Sequence, residues 1–105
     1  MDTLDTAAIR TAIAGLDGWE FADDRIRRRL RFPGFRDAID FIDRVADLAE
    51  AAEHHPELSN VYADVTVELT SHDAGGVTER DVALAGQIDG VVGQGVTVRE
   101  DQPDG

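Results

Sequence analysis

Ten consecutive residues constrain the fold of this chain more than any others. From Val61 to Thr70, the apolar residues Val61, Ala63, Val65, Val67 and Leu69 alternate with Tyr62, Asp64, Thr66, Glu68 and Thr70. A period of two sends the two sets to opposite sides of a pleated strand, so this segment is predicted to be a strand with one buried and one polar face. Arg25 to Phe32 repeats the pattern. Ile26, Leu30 and Phe32 point one way, Arg25, Arg27, Arg29 and Arg31 the other, and Arg28 alone breaks the rule by falling on the apolar side. Trp19-Glu20-Phe21 reads as a short strand with Trp19 and Phe21 on one face, joined to Arg25–Phe32 as a hairpin through an Asp23-Asp24 turn. The outward residues Arg27, Arg29, Arg31, Asp64 and Glu68 suit cross-strand pairing or solvent. The inward residues need cover.

Helices supply it. Ala7, Ile9, Ala12, Ile13 and Leu16 recur at helical spacing, with Thr3 or Asp5 as cap and Gly15 and Asp17-Gly18 as the stop. After the Pro33-Gly34 break, Phe35, Ala38, Ile39, Ile42, Val45, Ala46, Ala49 and Ala52 trace a second helical face, widened by Phe41 and Leu48. Such a wide stripe suggests packing on two sides, one of them against another subunit. Pro56 ends this helix and leaves His54 and His55 at or just past its end. Thr78 and Asp81 have the spacing of a capping box, ahead of a last helix with Val82, Ala85, Ile88 and Val92 on its inner face and Gly93 and Gly95 as its stop. Val96 to Val98 could add a few extended residues. Antiparallel strands interspersed with helices predict an α+β domain with the helices on one face of a small sheet.

The length of 105 residues fits one domain, assigned to residues 1–100, with a loose tail at 101–105. There is no cysteine, so disulfides, thiolate catalysis and cysteine-based metal sites are excluded. No apolar run approaches the ~18 residues of a membrane helix, and Met1 to Ile13 lacks the basic start and apolar core of a signal peptide. A cytoplasmic protein is the expectation. Asp and Glu total 22 against 10 basic residues, all arginine, for a net charge of −12. A diffuse negative surface repels phosphate backbones and anionic lipid, so neither nucleic acid nor membrane is an expected partner. The composition fits adaptation to high salt, where a heavily charged surface keeps a protein soluble.

The chain has three histidines, His54, His55 and His72, and they flank the best-defined strand. A strand separates its own ends, so they meet only if the segment from His55 to Asn60 folds back, for instance as a short extra strand before Tyr62. Gathered around one pocket, they supply an acid and a base to a small substrate. The alternative is that His54 and His55 are exposed helix-end residues stabilised by the dipole and His72-Asp73 an ordinary loop pair. Adjacent histidines rarely reach one ion, and no spacing here matches a zinc motif, so no metal is expected.

The stretch His54-His55-Pro56-Glu57, Asn60-Val61-Tyr62, Val65, Val67, Leu69, His72-Asp73, Gly76, Thr78, Asp81, Leu84-Ala85 and Ile88-Asp89, preceded by Val45-Ala46 and Ala49-Glu50, resembles the pterin-4a-carbinolamine dehydratase family. The resemblance spans roughly Trp19 to Val92. It implies a four-stranded antiparallel sheet covered on one side by three helices, and a homodimer or homotetramer. It also implies loss of water from a 4a-hydroxy-tetrahydropterin to give the quinonoid dihydropterin, without metal or organic cofactor. That reaction recycles the pterin of aromatic amino acid hydroxylases. By the same resemblance His54 and His72 are the acid/base pair and His55 holds the pterin. Glu50, one turn before His54, orients that imidazole or contacts the pterin's polar edge. Asp73 sets the His72 ring or caps the loop. Arg80 and Asp81 belong to the site surroundings, or serve as surface charge and helix cap. Leu58 stands where family members usually carry tryptophan. Two other roles remain open: a non-catalytic interaction module, and action on a related pterin such as a molybdopterin precursor.

Overall fold

The computed structural model describes residues 2–92, so the expectations for Gly93, Gly95, Val96–Val98 and the tail at 101–105 lie outside the described residues. The elements run α1 (Thr6–Ala14), β1 (Trp19–Ala22), β2 (Arg25–Arg31), α2 (Phe35–Ala52), β3 (Glu57–Val61), β4 (Asp64–Leu69) and α3 (Glu79–Val92). The strands form one antiparallel sheet in the order β1-β2-β4-β3. The expected α+β architecture of three helices and four antiparallel strands is the one observed.

The central pair sets the register. Ile26 lies opposite Leu69 and Leu30 opposite Val65, which puts the buried residues of β2 and β4 on one face, under the helices. The other face carries the charges as cross-strand pairs: Arg27 with Glu68 at 2.9 Å, Arg31 with Asp64 at 2.9 Å, and Arg25 bridging Glu57 and Glu68. Hydrogen bonds from Arg25 and then Arg27 hold the Glu68 carboxyl below its ordinary range. Asp23 and Asp24 both take positive φ, as a two-residue hairpin whose twist matches its strands demands.

Asp5 is the cap of α1, its side chain accepting the Ala8 N–H at 2.8 Å. The ten-residue strand expected from Val61 to Thr70 is shorter at both ends, running as β4 from Asp64 to Leu69. Tyr62 adopts left-handed geometry, the chain reverses there, and Val61 belongs to β3. Asn60 stabilises the reversal by donating to the carbonyls of Tyr62 and Asp64. The fold-back of the segment before Tyr62 therefore occurs, as a strand.

On α2 the buried line runs through Ala38, Phe41, Val45 and Ala49, with Phe41 at the centre of the core against Phe32. Ala46 and Ala52 are exposed and Phe35 is 49% exposed, so the buried stripe is rotated from the one expected. Phe41, fully buried against Phe32, is the aromatic anchor of this helix, and Phe35 is not. On α3, Leu84 joins Ala85 and Ile88 in the core.

Arg28 keeps its inward position because it has a partner there. Its guanidinium pairs with Asp89 of α3, and both are nearly buried at 12% and 11% side-chain exposure. Asp89 also accepts the Trp19 indole N–H at 2.8 Å and the Asp17 backbone N–H at 3.0 Å. A buried charge is tolerated only when paired and hydrogen-bonded, and this cluster meets both conditions. It fastens the α1–β1 loop to α3.

Candidate active site

Three pieces of chain meet at one end of the sheet. The first is the end of α2. Glu53 takes left-handed geometry as its C-cap, and the His54 N–H bonds to the Ala49 carbonyl at 3.1 Å. That turn drives His54 inward, to 8% exposure, and leaves His55 outside. The second is the loop after β4, closed by a Ser71–Gly76 bridge and by a Gly75 with φ +85°, which holds His72 and Asp73 out toward solvent. The third is the first turn of α3. The fold-back of β3 onto β4 brings the first two pieces together, and Thr78 and Asp81 tie in the third.

A cleft of about 350 Å³ opens between them, lined by Glu53, His54, His55, Thr70, His72, Asp73 and Arg80. All three histidines line it. The volume lies within the range of small-molecule sites.

The polar contacts differ from expectation in three respects. Asp81 is fully buried and outside the cleft lining. Its Oδ1 lies 2.5 Å from His54 Nε2, and its Oδ2 accepts the Thr78 N–H and the Ser71 hydroxyl, each at 2.8 Å. The acid's half of the capping box is thus formed, while the Thr78 hydroxyl accepts from the Arg80 N–H; the acid also grips His54, so Asp81 reaches the cleft only through that imidazole. Glu50 bonds His55 at 2.5 Å instead of His54, because the left-handed turn at Glu53 separates the two rings. It too stands outside the lining. Asp73 accepts a 2.8 Å bond from Arg80 Nη2 instead of contacting His72. That hydrogen bond lowers the Asp73 carboxyl below its ordinary value, with the Coulomb attraction of Arg80 assisting. Arg80 Nε is buried with no partner among the described residues. Leu58 is 37% exposed on β3 opposite Val67, outside the cleft.

Ser71, fully buried like Thr78, is a site neighbour that sequence reasoning passed over, whereas Thr78 was expected only as a helix cap. The signal was present for Ser71. It continues the inward set Val65, Val67, Leu69 by one more step of two, and a polar residue at an inward position needs a partner. Among the described residues no group of three or more His, Asp or Glu side chains is arranged to hold a metal ion.

The family model described as Pterin 4 alpha carbinolamine dehydratase matches residues 2–91. The chain belongs to the pterin-4a-carbinolamine dehydratase family. A Prochlorococcus marinus (strain MIT 9303) protein named "Putative pterin-4-alpha-carbinolamine dehydratase" is 54% identical over 87 residues, covering 82% of this chain and 91% of its own. Among solved structures, a Brucella melitensis protein described as a transcriptional coactivator/pterin dehydratase superposes with a TM-score of 0.82 at 35% identity. It covers 86% of this chain and 98% of its own. A pterin dehydratase-like protein identified as a RuBisCO assembly factor in the alpha-carboxysome shares the fold, with a TM-score of 0.62 at 22% identity, over 74% of this chain and 93% of its own. No described helix of this dehydratase-family chain is long and apolar enough to cross a membrane.

Proposed function

We propose that this chain dehydrates a 4a-hydroxy-tetrahydropterin to the quinonoid dihydropterin. The observation that carries the reading is the convergence of His54, His55 and His72 on one cleft of about 350 Å³ in a member of this family. The reaction needs two proton transfers. A protonated imidazole gives its proton to the 4a-hydroxyl, which leaves as water when the C4a–O bond breaks. A neutral imidazole takes the proton from N5, and the N5–H electron pair becomes the new N5=C4a bond. His54 and His72 are assigned these two roles. Each comes from a different segment, so they can address the ring from different sides. His55, exposed and bonded to Glu50, holds the pterin, with Arg80 and Asp73 at the rim. Asp81 acts through His54.

The test is spectrophotometric detection of quinonoid dihydropterin formed from the 4a-carbinolamine, in molar salt to suit so acidic a chain. The folded protein is expected to accelerate the step, and the double variant H54A/H72A to lose most of the rate, on the order of 10²-fold or more. Folded protein that leaves the buffer rate unchanged overturns the reading, and a fully active double variant overturns the assigned roles.

A second reading concerns assembly. Phe35 is half-exposed, and beside it Arg36, Ile39 and Asp40 line a shallow depression on the outer side of α2. A helix face of this kind supports a homo-oligomer or an interaction module, and the Brucella melitensis protein is described as a transcriptional coactivator as well as a pterin dehydratase. Light scattering in molar salt tests it, and a clean monomer counts against it.

A further inference from the structure

A chain of hydroxyls runs beneath the cleft, and counting hydrogens fixes its direction. Each serine or threonine hydroxyl carries one hydrogen and can accept others. Ser71 Oγ lies 2.8 Å from Asp81 Oδ2 and 2.9 Å from Thr78 Oγ1. Thr78 Oγ1 lies 3.2 Å from the backbone nitrogen of Arg80, which can only donate. The arrangement that serves every atom has Arg80 N–H donating to Thr78, Thr78 O–H to Ser71, and Ser71 O–H to Asp81. Asp81 Oδ2 also accepts the Thr78 N–H at 2.8 Å. As a carboxylate, Asp81 carries no hydrogen and accepts on both oxygens. Its 2.5 Å contact with His54 is then a bond donated by Nε2–H, and Nδ1 is the bare nitrogen of the neutral ring.

We propose that Ser71 is a positioning residue for the dehydration. By committing its single hydrogen to Asp81 Oδ2, it holds that carboxylate with Oδ1 on His54 Nε2–H, and so selects Nδ1 as the His54 nitrogen that exchanges protons with substrate. The inference rests on the acid/base role proposed for His54. Ser71 is fully buried and never touches the cleft, so it acts only through its neighbours. It directly precedes His72, and the same hydroxyl therefore ties the loop carrying one proton-exchanging ring to the helix that orients the other.

Two readouts on the full chain in high salt test this. Long-range ¹H–¹⁵N imidazole spectra at alkaline pH report the His54 tautomer, and steady-state dehydration kinetics report its consequence. The wild type is expected to show the Nε2–H tautomer. Ser71→Ala is expected to show a mixture and a kcat about tenfold lower, with KM within about twofold. Ser71→Thr, which keeps the hydroxyl, is expected to hold the wild-type tautomer and recover most of kcat. Where Ser71→Ala does not fold, Ser71→Cys, of similar size and a poor donor, carries the same expectation. An Nδ1–H wild type, or a folded Ser71→Ala protein with unchanged tautomer and kcat, overturns the proposal. A wild type without dehydratase activity overturns the proposed reaction instead, and the tautomer comparison still decides what Ser71 does.

Discussion

His54 and His55 are neighbours in sequence and opposites in setting. His54 is buried and bonded to a carboxylate that is itself fully enclosed and held by two further donors. His55 is 64% exposed and bonded to Glu50, whose side chain is 77% exposed. Both are imidazole–carboxylate pairs 2.5 Å apart, yet water competes for one and not for the other. A pair in water gains little and orients weakly, whereas a pair closed off from water fixes geometry and is costly to break. One turn of helix end, set by the left-handed Glu53, makes the difference.

The comparison is broken most severely by Asp81→Asn. The Thr78 N–H and Ser71 hydroxyl still require an acceptor, so the new amide oxygen faces them and its NH₂ faces His54 Nε2. The ring must then accept there and carry its proton on Nδ1. Activity is expected to fall by about 10²- to 10³-fold, the range of a misdirected general acid or base. Stability is expected to fall by about 1–3 kcal/mol from the weakened buried bonds, read by urea unfolding in salt. A variant with near-normal rate would remove the distinction between the two histidines.

Glu50→Gln sharpens the other side. The exposed pair contributes about 0–1 kcal/mol, so unfolding free energy should barely change, and the effect should appear as a rise in KM of about two- to threefold with kcat held. A large loss of kcat would mean that His55 depends on its carboxylate as His54 does on Asp81.

The smallest effect is expected at the rim. Arg80 holds Asp73 below its ordinary value of 3.8, chiefly through a hydrogen bond. The pair's contribution to stability is therefore complete above the unfolded value and fades as pH falls through the lower, folded one. In Arg80→Gln the Asp73 titration followed by carboxyl NMR should move back up toward 3.8. An unmoved titration would show that the guanidinium is not what perturbs it.

How much of this could be read in advance follows from which contacts are local. The hairpins and helices rest on periods of two and 3.6 and on turns a few residues long, so β1, β2, α1 and α3 stand close to where those patterns put them. The boundary between β3 and β4 was hidden because Val61 shares the parity of Val65 while lying across a reversal at Tyr62. The three histidines stood out by rarity and spacing. Their partners did not, because Glu50 is near both His54 and His55 in sequence and only the handedness of Glu53 decides between them. Asp81 lies 27 residues from His54, and only folding joins the two. Arg28 and Ser71 announced themselves in one way only, as polar residues on the inward side of strands.

The Arg28–Asp89–Trp19 cluster gives the molecule a built-in optical gauge. Trp19 is the sole tryptophan, 7% exposed, with its indole N–H on a carboxylate of α3. All of the chain's tryptophan emission therefore originates at the corner where the α1–β1 loop meets the last helix. Its colour and intensity report whether that corner is shut, without any label being added.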